Sequence, residues 1–544
     1  MQAVDKLQFL LFWDWRQSNL SQLGDNQWLT VFSLIKSESE DLAVYSSLIP
    51  DDRVSNALTR SSWDVMMGGA LPGCTRYYDE GEARVEYHRF NTNSGIEPLV
   101  LHRTFHGMRE PYIEILEEFR LFHNLYEEKN GAFTKIFDTG EELEIVRTSS
   151  SKIMIRQKEI RQFLAVKEMH LAIFFEVFRY SDLPFSQIAS ELRNFEHSEG
   201  LTRYDISVHE NDFTAARAQG SFSRLCGKKL IPGLTKAKSG IWPYDEEQEK
   251  AYEEFIIGSD EDGEAIRYSS NPEKLANFFG ANPDAPQYIT PVFFRRDVLT
   301  KYFAQSEKYS VEDGYLRCGG LWGIRIDNNH PRYVIVYLGD LGRDLPHSEQ
   351  VYWKSYNVVP DGNMSNVSTR RNILAEFAEP ESADLVFKFI FSDFQQNWFK
   401  KYNWHLFKPL GKGDEHLFSG LHIPLTDDQS EFDAQVLAIT KLMIDSINED
   451  ELMRTGINVK PETKGIGKLE EYFSASGFTD SAKWIRFLRD IQTLRSTGVG
   501  HRKGRGYAKI AKTFGVDEKP LSLVIQNILN DMSLFLKALS SHFL

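Results

Sequence analysis

The chain has 544 residues, of which 41% are hydrophobic and 26% charged, and carries a formal net charge of -15. A single core stops growing at roughly 250–300 residues, so this length calls for more than one domain, and the composition is that of an ordered globular protein rather than a disordered one. The acidic balance excludes a whole-surface affinity for nucleic acid, so any such contact has to be local.

In chain order, the apolar run FLLFW at 9–13 meets Asp14 at once and is too short for a signal-peptide core or a membrane anchor. To about residue 75 the chain reads as irregular, polar and rich in turns. From 76 to 155 it turns strand-like. TRYYDEGEARVEYHRF predicts a hairpin about Glu80-Gly81, and TKIFDTGEELEIV a second about Thr139-Gly140. Between them EPYIEILEEFRLFHNLY predicts an amphipathic helix, with Ile113, Leu116, Phe119 or Arg120, and His123 at helical spacing. The stretch 158–178, KEIRQFLAVKEMHLAIFFEVF, is apolar over much of its circumference and predicts a longer, buried helix.

An acidic run between Asp245 and Glu264, flanked by Pro232, Pro243 and Pro283, predicts a solvated connection or acidic face between two lobes. From 291 a second mixed region begins. GGLWGIRIDNNHPRYVIVYLGD predicts a hairpin about Asp327-Asn328-Asn329, and HSEQVYWKSYN, VSTRRNILAEFA and ADLVFKFIFSDFQQNWFKKY predict helices. Beyond Pro424 four helical patterns remain. The first puts Phe432, Val436, Ile439, Met443 and Ile447 on one face; KLEEYFSAS is short. The third aligns Trp484, Leu488, Ile491 and Leu494 behind Asp480, and the last follows Pro520 with Leu521, Val524, Ile528, Met532, Phe535 and Leu539. Short connections between such helices predict a compact antiparallel bundle.

The expected fold class is therefore a multidomain α+β protein. It comprises an N-terminal α+β domain (1–235), an acidic linker (236–285), a central α+β domain (286–425) and a C-terminal all-α domain (426–544). Cys74, Cys226 and Cys318 are few and widely spaced, which fits a reducing cytosol and no disulfide framework. A cytoplasmic protein with no membrane partner is expected.

One segment stands out against the acidic background. LRSTGVGHRKGRGYAK, 494–509, gathers Arg495, His501, Arg502, Lys503, Arg505 and Lys509. Arg495 lies seven residues after Leu488 and four after Ile491, so it continues the apolar stripe, where a charge is costly unless paired or lining a cleft. Gly498 and Gly500 then end the helix, Gly498 suiting a left-handed cap, and the turn can bring His501 back beside the helix end. An imidazole titrating near pH ~6.5 can move a proton at a ribose hydroxyl or leaving oxygen. An arginine fork can stabilise phosphorane charge, and Arg502, Lys503, Arg505 and Lys509 can hold the flanking backbone. The plainer alternative is a solvated loop whose cations answer the helix macrodipole.

An arginine at a helix end, five intervening residues and a histidine, in a small C-terminal helical bundle, resembles the signature of the HEPN superfamily. The resemblance covers roughly 430–544. It implies a metal-independent endoribonuclease of the kind found in bacterial antiphage and toxin systems, needing no cofactor. It also implies a homodimer in which two arginine–histidine pairs share one RNA-cleaving site. On that basis Arg495 and His501 are the expected catalytic residues, and Ser496, Arg502, Lys503, Arg505 and Lys509 the expected RNA-binding ones. HEPN nucleases commonly carry Asn, Asp or His directly after the arginine; here Ser496 stands there, a hydroxyl that can donate to phosphate. The region 1–425 would sense a trigger, which a phage could supply, or restrain the nuclease. The alternative is a non-catalytic scaffold that dimerises through the bundle.

Other constellations carry less. His102 and His106 with Glu114, Glu117 and Glu118 lack a metal-ligand pattern. TKGIGK at 463–468 lacks phosphate-loop spacing. GIRID lacks the following E-x-K pair of a metal-dependent nuclease.

Overall fold

The computed structural model describes all residues except 1–2, 22–23, 63–71, 80–81, 91–94, 212–219, 245–249, 412, 461 and 499–504. The chain divides into two compact units. The first is formed by Met1–Phe137 and Glu141–Glu249, the second by Asp138–Gly140 and Lys250–Leu544. It is a mixed α+β protein, with a large antiparallel sheet in the first unit and a helical C-terminal part in the second.

The sheet of the first unit has eleven strands: β1 (Trp28–Lys36), β2 (Glu40–Pro50), β3 (Glu97–Pro98), β4 (Tyr126–Glu127), β5 (Phe133–Ile136), β6 (Glu142–Thr148), β7 (Lys152–Arg156), β8 (Met169–Ser181), β9 (Asn194–Glu199), β10 (Thr202–Asn211) and β11 (Gly220–Ile231). Their order is β9-β10-β11-β8-β2-β1-β7-β6-β5-β4, with β3 also paired to β2. The central pair corrects the expectation of an irregular N-terminus. β1 and β2 form a hairpin with Ser33 opposite Val44, and Leu29, Val31, Phe32, Val44 and Leu48 lie in the main core. Their apolar and β-branched runs suit a pleated, buried surface.

The expected helix over 158–178 is half helix and half strand. Gln157–Lys167 is helical, Glu168 closes it at φ 54°, and β8 follows. β8 is paired along its length to β2 and β11. Its Leu171, Ile173, Phe175 and Val177 join the main core, while Ala172 and Phe174 join a smaller core on the opposite face with Ile49, Ala57 and Leu230. A strand buried on both faces shows no alternation, so its run reads like a buried helix. The expected helix over 110–126 shrinks likewise: Tyr112–Ile115 is a strand paired with Val100–Arg103, and only Glu117–Phe122 is helical. Both hairpin expectations hold in their pairing, Asp79 opposite Glu82 and Ile136 opposite Glu142; the Glu80-Gly81 turn lies outside the described residues.

In the second unit the stretch expected as a linker is partly folded. Glu254–Ser259 and Ala265–Ser269 form a hairpin, and Phe255 and Leu275 are fully buried in the central core with Phe294, Tyr302 and Trp353. The expected hairpin about Asp327 is also overturned. Trp322–Arg325 pairs with Tyr315–Cys318, whereas Tyr333–Tyr337 pairs with Pro291–Arg295; a single bridge, Asp327 to Ile335, joins the two sheets. The turn residues face inward instead. The Asp327 carboxylate accepts from the Ser365 backbone and hydroxyl at 2.8 and 2.7 Å. The Asn329 amide donates to Asp313 at 2.7 Å. Such a buried polar set is stable only when fully bonded, and that fixes the chain here.

The C-terminal core is helical and begins earlier than 426. Its longer helices are α1 (Ala383–Tyr402), α2 (Gln429–Thr440), α3 (Gly465–Ala475), α4 (Ser481–Gly498), α5 (Arg505–Phe514) and α6 (Leu521–Phe543), and the short helix Glu449–Arg454 adds the buried Leu452. α1 packs on α6, with Trp398 and Phe543 ring centroids 5.5 Å apart and the Tyr402 hydroxyl donating to the Phe543 carbonyl at 2.9 Å. No helix among the described residues is long and apolar enough to cross a membrane.

Candidate functional site

The candidate site is built on the end of α4. Trp484, Ile485, Leu488, Ile491 and Leu494 bury one face of this helix, and the next helix, α5, packs back onto it. α5 is strongly amphipathic: Tyr507, Ile510 and Ala511 are buried, while Lys509 and Lys512 are exposed. α5 falls where the sequence predicts a basic loop.

Gly498 differs from expectation. It is the last helical residue of α4 and is not left-handed. Its bare Cα serves a close approach instead, since a Cβ there would sit 2.9 Å from the Tyr507 ring. Burial pushes the Tyr507 phenol above its ordinary pKa, in keeping with a ring wedged between the two helices.

Arg495 stands at the rim of the apolar stripe, half-buried, with Nη1 3.7 Å from Asp445 Oδ2. Both side chains are over a third exposed, at 35% and 40%, so the pair is a loose surface ion pair of the sort worth about 0–1 kcal/mol. Asp445 closes a π-helical turn, Lys441–Asp445, that continues α2. This turn buries Leu442, Met443 and Ile444 in succession, which a regular stripe does not do. π-turns inside α-helices recur at functional sites. Ser496 is exposed and its Oγ donates back to the Thr493 carbonyl at 3.2 Å. His501, Arg502 and Lys503 lie outside the described residues, as does the side chain of Arg505.

The structure thus brings Arg495, Ser496 and Gly498 to one helix end and packs against that helix the segment bearing Lys509. It adds Asp445, Tyr507 and Lys512, which the sequence reading did not single out. Tyr507 and Lys512 were within reach of a periodicity argument, because 507, 510, 511 and 514 alternate with 505, 509 and 512 as two helical faces. Asp445 was not, because a π-turn shifts the register. Among the described residues no cluster of His, Cys, Asp and Glu could hold a metal ion. No family model matches the chain, and neither the curated proteins nor the solved structures give a match.

Proposed function

We propose that this chain is a metal-independent endoribonuclease of the HEPN type, acting as a homodimer in bacterial antiphage defence or growth arrest. In this reading the ribose 2′ oxygen attacks the adjacent phosphorus, His501 accepts or supplies the proton, and the 5′ oxygen leaves. Arg495 holds the non-bridging oxygens as their charge grows. Ser496, Arg502, Lys503, Arg505 and Lys509 hold the flanking phosphates, and the sheet-bearing first unit and the central region respond to a trigger or restrain cleavage.

The observation that supports the reading best is the half-buried Arg495, one turn before the end of a helix whose successor packs back on it. Six residues, 499–504, join those two helices, and they carry His501 and two of the cations. The ion pair to Asp445 also suits a purely structural arginine, which favours the scaffold as the second reading.

Purified full-length protein incubated with total RNA, with and without phage lysate, separates the two. Cleavage that survives EDTA, and that Arg495→Ala and His501→Ala each reduce by at least about 10²-fold without changing the mass in solution, is expected. RNA left intact by the wild type in both conditions overturns the nuclease reading. Cleavage abolished by EDTA points to a metal nuclease instead.

A further inference from the structure

The first unit holds an open cavity of about 850 Å3, a size within the usual range for small-molecule sites. Its walls are the helix Trp13–Leu20, the start of the helix Gln157–Lys167, the β9–β10 turn and the end of β11. In a chain of net charge -15 these walls are rich in cations: Arg16, Arg161 and Lys229 line the cavity against one carboxylate, Glu199.

Two of these cations lack an ion-pair partner among the described residues. Arg161 is bound to Asp25 at 3.0 Å. Arg16 instead lies over the rings of Tyr204 and Phe195, at 5.2 and 5.6 Å from their centroids, and hydrogen-bonds the Tyr204 hydroxyl. Lys229 Nζ donates to the carbonyls of Asn19 and Ser21 at 3.2 and 2.9 Å. An ammonium has three donors, so one remains. Its desolvation lowers the Lys229 pKa, the mark of a cation short of counter-charge. The cavity also offers one exposed aromatic ring: Trp13 is 53% exposed, whereas Tyr204, on which His197 is stacked at 4.7 Å, is buried.

Cations without an ion-pair partner beside an exposed aromatic ring select a ligand that is both anionic and planar. We propose that this cavity binds a nucleoside phosphate, its base against Trp13 and its phosphate between Arg16 and Lys229. The inference stands apart from the nuclease reading, because none of these residues belongs to the C-terminal helices. It gives the first unit a ligand of its own, free in solution rather than part of a polymer.

Calorimetric titration of the full-length protein with AMP, GMP and UMP tests it, with adenosine and inorganic phosphate as the stacking-only and charge-only controls. At least one nucleotide is expected to bind one per chain, with adenosine and phosphate at least about tenfold weaker. Trp13→Ala and Arg16→Gln should each weaken it about tenfold or more, the scale of a lost stacking platform. Trp13 is half exposed, so its removal should leave the melting temperature nearly unchanged even if Arg16→Gln loosens the Tyr204 contact. Arg495→Ala should bind like the wild type. The proposal is overturned by no binding up to about 1 mM nucleotide, by equal affinity for phosphate alone, by binding that only an RNA oligomer achieves, or by unchanged affinity in the Trp13 variant.

Discussion

At Gly498 the missing side chain matters through space rather than through backbone freedom. Alanine is favoured over glycine by about 1 kcal/mol in a helix interior and by less at a last helical residue such as Gly498, yet its Cβ would meet the Tyr507 ring at 2.9 Å. Gly498→Ala is therefore expected to lower the melting temperature of the wild type and to raise it in a Tyr507→Ala background. A thermal-melt cycle reads that reversal, and stabilisation in both backgrounds would refute the close approach. His123 gives a second residue-scale outcome. It is buried, and its Nε2 lies 2.8 Å from the Glu159 carbonyl. Burial lowers its pKa to about 4 from the ordinary 6.5, with the nearby Lys135 adding to the shift and the Glu159 bond opposing it. The unfolded chain thus takes up the proton first. The stability contributed by the neutral ring is complete above pH 6.5 and is lost as pH falls toward 4, an effect on the order of 3 kcal/mol. Denaturant titrations at pH 7 and pH 5 should show a drop that His123→Gln reduces; an equal drop in both proteins would remove His123 as its source.

At the scale of elements, α5 separates packing from charge. Its buried Tyr507 and Ile510 attach it to the bundle, while Lys509 and Lys512 face outward. Reversing both lysines to glutamate should change stability by no more than about 0.5 kcal/mol each, as surface substitutions do. If the nuclease reading holds, it should also weaken RNA binding and reduce the log–log salt slope by about 0.7 for the Lys509 contact, or about 1.4 where Lys512 beside it meets a second phosphate. An unchanged slope would place the RNA elsewhere. The same element shows where the sequence was legible. α1 is legible to the residue because Phe387, Phe391, Phe394 and Trp398 recur at helical spacing and no Gly or Pro interrupts Ala383 to Tyr402. α5 is not, because Arg502, Lys503, Gly504, Arg505 and Gly506 precede its apolar stripe and look like a loop. β8 reads as helix in sequence because both its faces are buried, and Asp445 falls outside the pattern because the π-turn breaks the 3.6-residue count. Long one-faced patterns carry their structure in the sequence. Two-faced burial, glycine-rich starts and register shifts are settled only by tertiary neighbours.

For the whole molecule, the cores decide which pieces can stand alone. The helical core includes Phe387, Phe394 and Trp398, all fully buried and all on α1. A cut at 426, the boundary expected from the sequence, removes them together. Truncating one buried large aromatic costs about 3–5 kcal/mol, and a domain's whole stability is about 5–15 kcal/mol. Losing three removes about 9–15 kcal/mol, most or all of that margin. A fragment spanning 426–544 is therefore expected to lack a cooperative melt and fixed aromatic signals in near-ultraviolet circular dichroism, whereas 250–544, the second unit apart from Asp138–Gly140, should show both. A cooperative melt for the short fragment would mean that α1 is not part of its core. The distinction bears directly on the nuclease reading, since inactivity of the short fragment toward RNA would report a lost core rather than a missing catalytic group. Only the longer fragment or the full chain can test Arg495 and His501.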